Sequence, residues 1–249
     1  MENLLLPFAI VFVVTIAAGL LQSTASFGGA IIMTLIFPMA PLFIPLLQAT
    51  GLSTLFSITA TSAMAWRYRK HIRPKIALPP AIFYFISSTI ALRIASKADA
   101  SGLKVFFGAL LMVLAVYFIF FAGKFRVKPT LLTAAVCGSL AGVCGGLFGI
   151  GGPPVIIYIL AVTGEDKDAY IGNIQFFFTI ASLYSTLMRV VNGIFTVDLL
   201  PYIIPGMVGI FLGKTIGAKI VSKINLDLMK KIIYIFMGLS GLFTFVTNL

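Results

Sequence analysis

Residues 3–66 run without a single charged side chain. A soluble fold cannot accommodate so long a stretch, because its surface needs charges at short intervals. Hydrocarbon disfavours each charge by about 2.5–3.5 kcal/mol and so selects for such a run. At ~20 residues per crossing, residues 3–66 have room for about three. The remainder has the same character, with 60% of the 249 residues hydrophobic, 10% charged, and 23 Gly beside 23 Phe. Glycine at that frequency suits helices that approach closely in lipid. The sequence reads as an all-α integral membrane protein.

Charges divide the rest of the chain into shorter runs. Runs 76–92 and 105–123 hold one crossing each before the basic stretch Lys124-Phe125-Arg126-Val127-Lys128. Beyond it, run 129–164 is too long for one crossing and slightly short for two, while 169–188, 199–218 and 232–249 hold one each. The expectation is about ten membrane segments, five on either side of a central loop: an N-terminal repeat at 1–123, a basic cytoplasmic linker at 124–128 and a C-terminal repeat at 129–249. A faint internal repeat agrees with that division. A shift of 123 lays Ala18-Gly19 on Ala141-Gly142 and Gly28-Gly29 on Gly151-Gly152; a shift of 126 lays Ile94, Ser96, Lys97 and Lys104 on Ile220, Ser222, Lys223 and Lys230.

An odd number of crossings per half inverts the second half relative to the first. With five and five, and the loop Arg67 to Lys75 inside, thirteen Lys and Arg fall inside, and four (Arg93, Lys97, Lys104 and Arg189) fall outside. Lys214 is then within a span. A single crossing for 129–164 would make the count nine inside and eight outside. The positive-inside rule favours the inverted repeat, which puts both termini outside.

The basic residues, which give a net charge of +11, sit in short clusters and not along a basic helix face. That is how topology signals meet anionic lipid, so membrane lipids are expected partners and nucleic acid is not. Cys137 and Cys144 lie seven positions apart in one apolar run, ~10 Å by helical rise, too far to pair. Glu2 stands where a signal peptide would be basic, and no cleaved leader is expected. None of the seven acids falls centrally in a span, and His71, the single histidine, sits in a basic loop. A metal site or a hydrolytic centre needs such groups to converge, so no metal, cofactor or enzymatic activity is expected.

Two stretches stand apart from the rest: GGLFGIGGPPVII, Gly145 to Ile157, and its repeat partner STASFGGAIIM, Ser23 to Met33. Paired glycines allow a sharp turn, and Pro153-Pro154 suits the first turn of the next helix, where amide donors go unpaired anyway. Each break then presents a helix N-terminus, which suits an anion without a fixed charge. The start of each half is accordingly a glycine-broken helix or a re-entrant hairpin. Inversion would bring the two breaks to one cavity, with Gln22, Ser23, Thr24, Ser26, Gly28 and Gly29 from the first half and Cys144, Gly149, Gly151, Gly152, Pro153, Asn173 and Gln175 from the second as candidate substrate contacts. Lys214 is a candidate charge partner. Arg189, at the end of an uncharged run, reads as an interface marker.

The repeated glycine-rich turn followed by an apolar helix, with GGLFGIGGPP in the second copy, resembles the TauE/SafE family of sulfite exporters. The resemblance extends over length, two halves, basic central loop and both glycine motifs; the first motif differs in carrying Ser23-Thr24-Ala25-Ser26 where the family is richer in glycine. It implies export of a small sulfur-containing anion, such as sulfite, sulfoacetate or a related organosulfonate, across a prokaryotic inner membrane. The residues themselves reach only as far as a small anion. A selective anion channel and a non-transporting assembly subunit are the alternatives, and a homo-oligomer is left open.

Overall fold

A computed structural model describes residues 5–25, 28–39, 42–121, 127–220 and 226–249, a few helical side chains, Thr24 among them, excepted. Ten α-helices make up the described chain. They are α1 (Leu5–Ala25), α2 (Gly29–Ile36), α3 (Leu46–Arg67), α4 (Pro74–Ala95), α5 (Ala100–Val116), α6 (Leu131–Phe148), α7 (Gly152–Thr163), α8 (Lys167–Val191), α9 (Leu200–Ile220) and α10 (Leu226–Asn248). A wider helical turn, Tyr117–Phe121, prolongs α5.

Among the described residues six segments are long and apolar enough to cross a membrane: Leu5–Ser23, Pro74–Ala95, Ala100–Phe121, Leu131–Phe148, Lys167–Val191 and Val197–Gly217. The protein is a multi-pass membrane protein. Their outer faces suit lipid, and on α4 the residues Ile82, Ile86, Ile90 and Ile94 recur every fourth position and are 55–61% exposed. That spacing keeps one stripe of the helix facing outward.

Residues 3–66 hold two long helices, α1 and α3, with the short α2 between them. The 8 residues of α2 rise only ~12 Å and the 12 residues of α7 ~18 Å, against ~30 Å of hydrocarbon. Each half therefore opens with a long helix followed by a short one. The 22-residue α3 has the length to cross but is set apart by its buried hydroxyls, Thr50, Ser53, Thr54, Ser57 and Thr61.

Packing follows a regular scheme. Helix α1 lies along α9 and α6 along α4, while α3 packs on α8 and α5 on α10. Exchanging each of the first five helices for the one five places on reproduces these pairings. Glycines form two of the seams. Gly209, Gly213 and Gly217 of α9 face α1, and Gly138, Gly142 and Gly146 of α6 face α4, each so closely that an added Cβ would overlap the partner helix. Small residues at every fourth position let helix backbones touch, which is where van der Waals attraction in lipid is strongest. One apolar cluster, around Phe37 and Phe56, joins α1, α2, α3 and α9. Another, around Tyr84 and Phe177, joins α4, α6, α7 and α8.

Candidate functional site

Both glycine motifs break the helix where the sequence places the break. Helix α6 stops at Phe148, and Gly149 takes the left-handed conformation, φ 71°, while its amide donates to the Gly145 carbonyl at 2.9 Å. Gly151 caps α7, whose second and third residues are Pro153 and Pro154. In the first half α1 ends at Ala25, and Gly28, at φ 100° and ψ −22°, caps α2. Only glycine holds such a backbone without strain.

The two ends differ in what they offer. An α-helix leaves its first four amides without an internal acceptor. At α2 all four, Gly28 to Ile31, carry a donor. At α7 the prolines remove two, leaving Gly151 and Gly152. The dipole end is present at both breaks, but the first break is the richer in donors.

A cavity with about 560 Å³ of empty space, its mouth included, lies between the breaks. Gln22, Gly28, Ala30 and Ile31 line it from the first half, and Gly149, Ile150, Gly151, Gly152 and Pro153 from the second. Hydroxyls complete the wall: Thr54, Ser57 and Thr61 of α3, Ser182 of α8 and the ring of Tyr84 on α4, with Phe177 and Phe178 as its apolar part. The α3 hydroxyls are buried at low cost because each donates within its own helix. Thr54 donates to the Gly51 carbonyl at 2.9 Å, Ser57 to that of Ser53 at 2.7 Å and Thr61 to that of Ser57 at 2.8 Å. Such bonds stay within one turn of the helix and are easily exchanged for a better acceptor.

Behind this wall sits a cation. Arg189 is 0% exposed, not at an interface as its place at the end of an uncharged run suggests. Its Nε donates to the Thr50 hydroxyl at 3.1 Å, its Nη1 to the Ser185 carbonyl at 3.3 Å, and its Nη2 to the Gly145 and Gly146 carbonyls at 3.1 and 2.9 Å. Those last two belong to the final turn of α6, the negative end of its dipole, where a guanidinium is favoured. All its acceptors are neutral. The ion pair among the described residues lies elsewhere, on the surface, between Arg73 and Asp166 at 3.6 Å. The sequence did hold a sign of this, since the apolar Val190 and Val191 follow Arg189 and carry α8 past it. Next to the charge, Tyr84 Oη and Ser185 Oγ share a buried hydrogen bond of 2.8 Å.

Of the sequence candidates, Gln22, Gly28, Gly149, Gly151, Gly152 and Pro153 meet at the cavity. The others lie outside its described lining. Gly29 turns under α1, where an added Cβ would sit 2.7 Å from the Ala18 carbonyl. Ser23 donates to the Leu20 carbonyl at 2.8 Å and faces Gly217 of α9. Cys144, on α6, is a free, partly buried thiol. Asn173 fastens the α3–α4 connection, accepting from the Arg73 amide at 2.9 Å and donating to the His71 carbonyl at 3.3 Å. Gln175 is fully buried on α8, and among the described residues neither side-chain amide atom has a hydrogen-bond partner. Lys214, partly buried on α9, lies at the glycine seam with α1, its backbone amide close to Gly19. Thr24 is described by its backbone alone and Ser26 falls outside the described residues. Sequence reasoning missed Thr54, Ser57, Thr61, Ser182 and Tyr84. Among the described residues no three His, Cys, Asp or Glu side chains are grouped as a metal site requires.

The family of sulfite exporters TauE/SafE matches residues 11–244, a span that takes in both breaks, the hydroxyl helix and Arg189. The chain belongs to the TauE/SafE family. Its members are transporters and not enzymes. For this TauE/SafE chain, comparison with curated proteins and with solved structures finds no match.

Proposed function

We propose that this TauE/SafE chain is a secondary transporter that moves a small sulfur-containing anion, sulfite, sulfoacetate or a related organosulfonate, outward across the inner membrane by alternating access. The observation that carries the proposal is that both glycine breaks border one cavity, with Arg189 behind it and no carboxylate against that charge among the described residues. An anion leaves water only if its oxygens find donors. The amides of Gly28, Ala30 and Ile31 and those of Gly151 and Gly152 supply them, and the hydroxyls of Thr54, Ser57 and Thr61 add more by rotating away from their own helix. Arg189 keeps the wall positive without touching the guest. Phe177 and Phe178 offer an apolar surface to the carbon skeleton of a sulfonate.

In this reading 1–123 and 129–249 are inverted repeats joined by the cytoplasmic linker 124–128, and both termini face outward. The interchange of helix pairings five places apart supports it, as does the meeting of two equivalent breaks. Alternating access then rocks one half against the other about the shared cavity. The described lining holds no acid, and no carboxylate relay is visible in it. An inside-negative potential contributes about 2.3 kcal/mol per charge per 100 mV toward export of an anion.

Counterflow in proteoliposomes tests the proposal. Vesicles loaded with unlabelled sulfite and diluted into labelled sulfite should accumulate label transiently, at a saturating rate that sulfoacetate inhibits. Flux that never saturates and shows no counterflow would instead make the protein an anion channel. Absence of any flux would leave it a membrane subunit without a transported substrate.

A further inference from the structure

One turn along α2 from the residues that line the glycine cavity, Thr34 and Leu35 enter the wall of a second hollow. It lies between α2, α5 and α10 and encloses about 1150 Å³ when its open side is counted. The one charged group of its described lining lies at one end, beside the polar end of α10. Lys104 stands near the start of α5, and Thr247 and Asn248 stand at the end of α10. Ser101 Oγ donates to the Asn248 carbonyl at 2.9 Å, which holds these two helix ends at one level. The rest of the wall is mostly apolar, with Phe107, Phe236, Leu239, Leu35 and Leu46, and its only hydroxyls among the described lining are those of Thr34, Ser240 and Thr244.

We propose that this hollow seats one acyl chain of an anionic phospholipid, with the lipid phosphate on Lys104. A single cation at one end of a mostly apolar trough matches a phospholipid, charged at the headgroup and apolar along the tail. From Asn248 down to Phe236 α10 descends ~18 Å, close to the ~15 Å of hydrocarbon in one leaflet. Lys104 is partly buried and makes no ion pair among the described residues. The nearby acid, Asp99, is engaged in capping α5, where its carboxylate accepts from the Gly102 amide at 3.0 Å. A phosphate is therefore the charge that Lys104 lacks. The inner end of the hollow is Thr34, which hydrogen-bonds the Ser53 hydroxyl at 3.2 Å and the Phe148 carbonyl at 3.3 Å. A seated chain thus presses on α2 one residue away from the break at Gly149. The lipid site stands whether or not the cavity carries a sulfur anion.

Native mass spectrometry of the delipidated full chain, titrated separately with phosphatidylglycerol and phosphatidylcholine, tests it. The expected result is one tightly retained phosphatidylglycerol, preferred about fivefold over phosphatidylcholine, the worth of one lysine against an anionic headgroup. Lys104→Gln should erase that preference, whereas Lys97→Gln, on the exposed α4–α5 connection, should keep it. Ser240→Trp, which fills the hollow from α10, should lose retention of both lipids. An unchanged preference in Lys104→Gln would overturn the proposal. So would labelling of Ser240→Cys, above the wild-type level, by a membrane-impermeant thiol reagent in proteoliposomes, since that marks the hollow as filled with water.

Discussion

Across the contact between α8 and α3, Arg189 Nε donates to the Thr50 hydroxyl at 3.1 Å, so a charge from one half of the chain is held by a hydroxyl of the other. The same guanidinium caps α6 just before its break. Arg189→Met should lower stability by about 2–4 kcal/mol, because several buried acceptors lose a charged donor. It should also abolish stabilisation by sulfite. Arg189→Lys keeps the charge but not the fork, and part of the sulfite response should return with it. Thermal unfolding with and without sulfite measures both effects. A full sulfite response in Arg189→Met would remove the cation from the account.

Gly28 isolates backbone conformation from crowding. At φ 100° no described residue lies within 4 Å of where its Cβ would be. Gly28→Ala should cost about 1–2 kcal/mol through strain alone, and Gly28→Asn less, because asparagine tolerates positive φ. Thermal unfolding of the two variants should rank them in that order. Equal stability of Gly28→Ala and wild type would mean the first break does not have the geometry described.

Tyr84 and Ser185 form a buried pair next to the cavity. Tyr84→Phe and Ser185→Ala should each destabilise by about 1–2 kcal/mol, since each strands a partner. The double variant should cost clearly less than the sum of the two. Additive losses in chemical unfolding would show that the hydroxyls do not interact.

The inverted arrangement puts Leu249 outside and the loop at 124–128 inside. Alkaline phosphatase fused after Leu249 should be active in cells, and fused within residues 124–128 inactive. The reverse pattern, or activity at neither point, would contradict the five-and-five arrangement.

The break at Gly149 to Pro154 is legible in the sequence because glycine at positive φ and a proline pair at a helix start each have one structural use. Charge-free runs locate the long helices for an equally simple reason. The division of residues 3–66 is not legible in this way: no charge marks where α2 ends, so a helix of 8 residues and one of 22 look alike. The hydroxyls of α3 escape notice because serine and threonine pack helices as readily as they line cavities. The role of Asn173 in joining α8 to the α3–α4 connection is not legible either, since two of its partners are backbone groups of Arg73 and His71, a hundred residues away. Gln175, unpaired and buried, has no counterpart signal at all.

Selenite has the shape and charge of sulfite and scatters anomalously, so crystals of the protein soaked in it test the shared site most directly. One selenium peak is expected in the cavity, between the Gly28 turn and the Gly151-Gly152 turn, and it should be lost in Arg189→Met. A peak away from both turns, in a protein that still transports sulfite, would contradict the shared site.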